Sequence, residues 1–177
     1  MFERYTESAR RAIFYARAVA VLNEASTIDS VHLLCGLMWG EDSRAQVLFG
    51  LREIFPLYRG CPHKSVNVKL AMEVQGPPLS SDGKRVVART AEEANALRDY
   101  WIDTEHLVLS ILAEPACPAA RHLEKAGITL ESARRVVMES RPSRPEYGRD
   151  SAWRDSKSSP LKWVKLKWLA WKYRRRG

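Results

Sequence analysis

Apolar residues recur at three-and-four spacing from the start of the chain. Ala9, Ala12, Ile13, Ala16, Val19 and Ala20 fall on one face of a predicted helix, and Thr6 stands before it as an N-cap. A similar stripe, Val86, Val87, Ala91, Ala94 and Leu97, follows Ser80 in the capping position. Behind each long helix comes a shorter, more apolar one, Val31–Trp39 and Glu105–Ala113, expected to be capped by Ser30 and Thr104 and to be the buried helix of its set. Glu114-Pro115 ends the second of these, because the residue before a proline is pushed out of the helical region. A third helix is predicted near Ser43–Leu51 and again over Pro118–Ala126, the latter with proline in its first turn and Gly127 as its stop. Thr129 caps a fourth, running to about Ser140. Its counterpart, Arg52–Gly60, contains Pro56 and Gly60 and is expected to be shortened.

The two sets are copies of one unit. A shift of 74 residues lays Thr6–Met38 over Ser80–Leu112, and Ile-Asp-Ser-Val-His-Leu-Leu (28–34) then meets Ile-Asp-Thr-Glu-His-Leu-Val (102–108). Helices this short cannot bury their apolar faces alone, so the copies are expected to share one pseudo-symmetric core. The expected organisation is all-α over residues 1–140, with repeat one at about 1–60, a connection at about 61–78 and repeat two at about 79–140. Within the connection, Val66, Val68, Leu70, Met72 and Val74 alternate with polar or small residues, which is a strand signal. Two readings stand: an extended linker laid along the helices, or an edge that pairs with another chain. Residues 141–159, rich in Pro, Ser and Arg, read as a flexible linker.

Charge separates the rest of the chain from its end. Residues 161–177 carry Lys162, Lys165, Lys167, Lys172, Arg174, Arg175 and Arg176 with no acid, so subtracting these seven from the net +8 leaves +1 for residues 1–160. Trp163, Trp168 and Trp171 are interleaved with them, in a stretch too short to span a bilayer. Such a tail suits the surface of an anionic membrane, where indoles favour the headgroups. It suits single-stranded nucleic acid, by stacking and phosphate contact, less well, and it could equally be a solvated end without a ligand. With 45% hydrophobic and 28% charged residues, the remainder has the balance of a soluble globular domain. No run approaches the roughly 20 apolar residues of a membrane span, and Glu3, Arg4, Glu7, Arg10 and Arg11 stand where a signal peptide needs apolar ones. A cytoplasmic location, with the tail as a route to peripheral membrane contact, is the expectation.

Candidate chemistry is sparse. Cys35, Cys61 and Cys117 are odd in number and lack paired CxxC spacing, so they read as buried free thiols rather than a metal site. His32 and His106 read as structural histidines. The nearest approach to a phosphate-binding loop, Gly76–Arg85, separates its glycines by six residues instead of four and has Arg85 where a Ser or Thr is required. No nucleophile elbow is present, so no catalytic residue, metal or cofactor is expected.

The opening Met1-Phe2-Glu3-Arg4-Tyr5-Thr6-Glu7, the two Asp-(Ser/Thr)-x-His-Leu motifs and the constant offset between them resemble the Clp N-terminal repeat domain. That domain heads AAA+ unfoldases and also occurs alone; this chain is similar to a stand-alone member. The resemblance covers about residues 1–140. It implies two tandem four-helix repeats packed as one bundle, and a non-catalytic module that docks protein or peptide partners, whether a Clp ATPase, an adaptor or a substrate, in protein quality control or regulated proteolysis. It further implies a small anionic pocket for phospho-arginine or basic side chains. The pocket would be formed here by Glu105 and Thr104 with Ser80, while Thr6 opens a first repeat in which Val31 takes the place of the glutamate. The alternative function is a scaffold tethered to a membrane or polyanion through Lys162, Trp163, Lys165, Lys167, Trp168, Trp171, Lys172 and Arg174–Arg176.

Overall fold

The computed structural model describes residues 2–40, 43–51, 61 and 76–140. Seven helices lie among them: α1 Glu7–Leu22, α2 Ser30–Trp39, α3 Arg44–Phe49, α4 Ser81–Ala96, α5 Thr104–Leu112, α6 Pro118–Lys125 and α7 Leu130–Glu139. The segment Arg52–Gly60, the alternating stretch at 65–75, the linker at 141–159 and the tail at 160–177 fall outside the described residues. No strand occurs among the described residues, and no helix there is long and apolar enough to cross a membrane.

Each helix starts where its chemistry dictates. Thr6, Ser43, Ser80 and Thr129 accept backbone N–H groups at the starts of α1, α3, α4 and α7. Pro118 opens α6 with its missing donor at a position that needs none. Gly50 and Gly127 follow α3 and α6 with positive φ, which only a residue without Cβ adopts at no cost. The expectation that Ser30 and Thr104 cap α2 and α5 is corrected. Asp29 and Asp103 are the caps, and Ser30 and Thr104 are the first helical residues. Two acceptors stand side by side at each start, and the carboxylate, the stronger acceptor, takes the cap.

The pattern of apolar faces is realised as one shared core, beside which Ala18, Val19, Cys35, Trp39 and Cys61 form a smaller cluster. Helices α2 and α5 are the buried ones, with Leu33, Leu34 and Leu37 matched by Leu107, Val108 and Ile111. Residues from both repeats join in a single apolar cluster, together with Ala119, Ala120 and Leu123 of α6 and Ala133 and Val137 of α7. Helix α1 packs along α2 and α4 along α5. Across the repeats, α3 packs on α5 and α6 on α2.

The segments before the helices are exchanged in the same way. Tyr5 bridges to Ile102, with Thr6 N donating to Ile102 O (2.9 Å) and Ile102 N to Arg4 O (2.8 Å). Leu79 bridges to Ile28, with Ser80 N donating to Ile28 O (2.9 Å) and Ile28 N to Pro78 O (2.8 Å). All of these partners are related by the 74-residue shift. The entry into the first helix of each repeat is therefore fastened to the entry into the second helix of the other.

Candidate functional site

This exchange decides which candidate residues meet. Thr6 lies at the start of α5: its hydroxyl donates to Asp103 Oδ1 (2.9 Å) and accepts from Ala9 N (3.2 Å). Asp103 also accepts from Thr104 N at 2.7 Å. Thr104 is fully buried, and its Oγ1 accepts from Ala45 N at 3.1 Å, so α3 is seated directly on it. Glu105 follows in the first turn of α5, only 5% exposed, with Oε1 2.8 Å from Arg44 Nε. That N–H is not aimed along a hydrogen bond, and Glu105 Oε2 has no hydrogen-bond partner among the described residues. The contact is an ion pair with one oxygen left unmet.

Ser80 belongs elsewhere, which corrects its grouping with Glu105. Its hydroxyl donates to Asp82 and accepts from Gly83 N (3.1 Å), while Asp82 Oδ2 accepts from Ser30 N at 3.1 Å. Ser80 therefore sits with Asp29, Ser30 and Val31 at the start of α2. Thr6, Thr104 and Glu105 gather at one helix start and Ser80 at the other. A shift read from sequence pairs equivalent residues, and it carries no record of which copy each one touches.

The two helix starts differ in electrostatics. Burial alone would raise the Asp82 carboxyl, but hydrogen bonds from Ser80 and Ser30 outweigh it and hold it at about 2. At Glu105 the balance is reversed. Burial and the neighbouring Asp103 charge push the carboxyl up, its own backbone N–H and the Arg44 guanidinium pull it down, and it settles at about 7. A helix N-terminus with Asp82 is thus a satisfied cap, and one with Glu105 is a buried acid poised near neutrality.

His32 and His106 each close the cap of a buried helix. His106 Nδ1 accepts from Asp103 N at 2.9 Å and its Nε2 lies 3.1 Å from Asp99 Oδ2, which fixes the proton on Nε2. His32 Nδ1 accepts from Asp29 N at 3.2 Å, closing the same capping box in repeat one. Arg44 and Asp82 are the site residues that the sequence pattern did not single out. Asp82 carried a signal, as an acid in the first turn of α4. Arg44 carried none, since its equivalent in repeat two is Pro118.

A hollow of about 400 Å³ lies away from Glu105, beside the Tyr5–Ile102 bridge, with an apolar lining that includes Phe2, Leu79, Val87 and Ala91. The three cysteines are buried free thiols, and no group of three or more potential metal ligands occurs among the described residues.

Among the described residues, seven helices arranged as two exchanged copies around a shared core define a two-repeat helical module. Its relatives place it further. The Clp repeat (R) N-terminal domain matches residues 78–152. The chaperone protein ClpB of Oceanobacillus iheyensis is 29% identical over 140 residues, which cover 78% of this chain and 17% of that protein. The crystal structure of the N-terminal domain of the chaperone ClpD from Arabidopsis thaliana covers 78% of this chain and 95% of its own, with a TM-score of 0.55 and 20% identity. The Hsp104 N-terminal domain of Candida albicans covers 80% of this chain and 94% of its own, at a TM-score of 0.54 and 15% identity. Residues 78–152 thus carry a Clp repeat N-terminal domain, and the described residues share the fold of Clp N-terminal domains. The chain spans 17% of the length of curated relatives such as this ClpB. Clp N-terminal domains are non-catalytic docking modules for proteins and adaptors.

Proposed function

We propose that residues 1–140 dock protein segments bearing basic side chains, in the service of Clp-type quality control or regulated proteolysis, and carry out no chemistry of their own. The observation that carries this reading is Glu105: a carboxylate in the first turn of α5, buried, with one oxygen lacking a partner among the described residues. A buried acceptor left unmet costs more than an exposed one, so a donor that reaches it is rewarded twice, by the charge-assisted bond and by relief of the unmet group. The test is titration calorimetry of the intact chain with peptides bearing arginine or phospho-arginine. Binding at the α5 site, weakened at least about tenfold by Glu105→Gln, is the expected result. Equal binding by wild type and variant would end the reading.

A second reading rests on residues 160–177, where seven basic residues and three tryptophans occur without an acid. In it the chain is held at an anionic membrane surface or polyanion by the tail, and the helical repeats are the cargo. Deleting everything after Ser159 separates the two: loss of partner association with the tail favours tethering, and retention favours docking through the repeats.

A further inference from the structure

The start of α5 offers a place for a cation and also shows what fills it. Glu105 presents two buried oxygens, of which Arg44 engages one, and the Arg44 Nε–H points off the hydrogen-bond line. A guanidinium that approached squarely would meet both oxygens with two parallel N–H groups, the geometry for which arginine and carboxylate are matched. The chain's own arginine thus stands at the right atom in an incomplete pose. We propose that Arg44 is an internal occupant of the Glu105 site: its guanidinium holds the place that a ligand's guanidinium would take, and the site opens when the Arg44 side chain swings out to solvent.

The moving part is the side chain, because the backbone of α3 is anchored. Ala45 is fully buried and donates to Thr104, and Gln46 Nε2 donates to Leu37 O (2.9 Å) and Met38 O (2.7 Å). The Arg44 side chain, by contrast, is 39% exposed. Among the described residues, apart from Glu105, it is held by one long hydrogen bond, from its terminal nitrogen to Ser140 Oγ at 3.5 Å. A change of rotamer releases it without disturbing the core.

The other helix start supplies an internal comparison. By the 74-residue shift, Val31 stands in the place of Glu105 and Pro118 in the place of Arg44. Glu105 and Arg44 are present together at α5, and their counterparts at α2 are both uncharged. A buried acid without a resident cation would be costly at α5, and a resident cation without an acid would have no purpose at α2.

The occupant sets a selectivity rule. A ligand offering one guanidinium exchanges it for an identical one tethered at an effective concentration on the order of millimolar, so it gains little. Net binding comes to a segment that adds contacts beyond the guanidinium. Free arginine is excluded, and an arginine within a longer complementary segment is admitted.

This inference rests on the docking reading above, and its test separates the failure of each. The intact chain and its Arg44→Ala, Arg44→Lys, Glu105→Gln and Arg44→Ala/Glu105→Gln variants are titrated calorimetrically with a capped Gly-Gly-Arg-Gly-Gly peptide. Each variant is first checked for a wild-type circular dichroism spectrum and a single melting transition. The expected result is binding by Arg44→Ala at least about tenfold tighter than by wild type, loss of the gain in the double variant, and an intermediate affinity for Arg44→Lys, which keeps the charge but lacks the fork. Equal binding by wild type and Arg44→Ala, each weakened by Glu105→Gln, overturns the internal occupant and leaves the docking reading standing. Absence of Glu105-dependent binding in wild type and Arg44→Ala alike overturns both.

Discussion

The Thr6 hydroxyl donates to the Asp103 carboxylate across 2.9 Å, joining the first helix of one repeat to the second helix of the other. Because the Ile28–Leu79 bridge makes the reciprocal link, neither repeat can open without unfastening both. Core residues deep in one repeat are thus expected to hold up the whole. Leu107 is buried in the shared cluster, and its truncation to alanine should cost about 2–5 kcal/mol, a large part of the stability of a domain this size. Unfolding of residues 1–140 should remain a single transition in Leu107→Ala, shifted to lower temperature. Two separated transitions by calorimetry would contradict the exchanged architecture.

The crossing of α1 and α2 is closer than that of α4 and α5, and one glycine sets the difference. A Cβ on Gly36 would overlap the carbonyl oxygen of Ala12 and lie 2.7 Å from the backbone nitrogen of Ala16. At the equivalent crossing, Val86, Thr90 and Ser110 replace Ala12, Ala16 and Gly36, and the Thr90 and Ser110 hydroxyls meet at 3.0 Å. Gly36→Ala gains helix propensity of about 1 kcal/mol and loses more, since the clash is with backbone that cannot turn aside. A net loss of about 1–3 kcal/mol is expected, whereas Ser110→Ala should cost about 1 kcal/mol, as each hydroxyl also bonds a carbonyl in its own helix. Chemical denaturation of the two variants side by side checks the order.

Much of the fold was legible because its signals are local. The caps at Thr6, Ser43, Ser80 and Thr129 and the stop at Gly127 each depend on one residue's chemistry and its distance from an apolar stripe. The starts of α2 and α5 were misread by one residue because two acceptors compete there, and charge decides between them. The candidate site was legible only by halves. Glu105 and Thr104 stand out as a departure from repeat one, yet the company they keep depends on the exchange between copies, which moves Ser80 to α2 and brings Thr6 to α5. Arg44 could not have been found by comparing repeats, because its equivalent is Pro118. Glu24 and Arg98 show the same limit: both take positive φ at equivalent positions after α1 and α4, a conformation that neither residue type announces.

The thiols should be slow to react while the protein is folded. A hydrogen bond with Cys61, with burial added, pushes the Cys35 thiol well above its usual range, and burial raises Cys117. The nucleophile is the thiolate, so both effects reduce reactivity on top of exclusion from solvent. Mass spectrometry after brief treatment with iodoacetamide at neutral pH is expected to show little labelling of Cys35 or Cys117, and full labelling once denaturant is added. Rapid native labelling of Cys35 would mean that the apolar cluster around Trp39 opens readily.

Glu105 should leave its mark on stability as a function of pH. Its carboxyl is held at about 7 in the folded chain, against 4.5 for an ordinary glutamate. Between those values the folded state holds a proton that the unfolded state has released, so stability falls as pH rises through that window, by at most about 1.4 kcal/mol per pH unit. Above about pH 7 the penalty is complete and constant, and below about 4.5 it is absent. Asp82 works in the opposite sense in a different window: held at about 2, it contributes stability that is lost only as pH falls below its ordinary value toward 2. Denaturation curves of wild type and Glu105→Gln at a series of pH values isolate the first effect. The variant is expected to gain on wild type steadily from about pH 5 to pH 7 and then to run parallel to it. In Arg44→Ala the counter-charge that pulls the carboxyl down is gone, so the same fall should extend to higher pH than in wild type. A constant difference between wild type and Glu105→Gln across the series would show that Glu105 stays charged throughout, and that solvent reaches it far more freely than its burial against α3 allows.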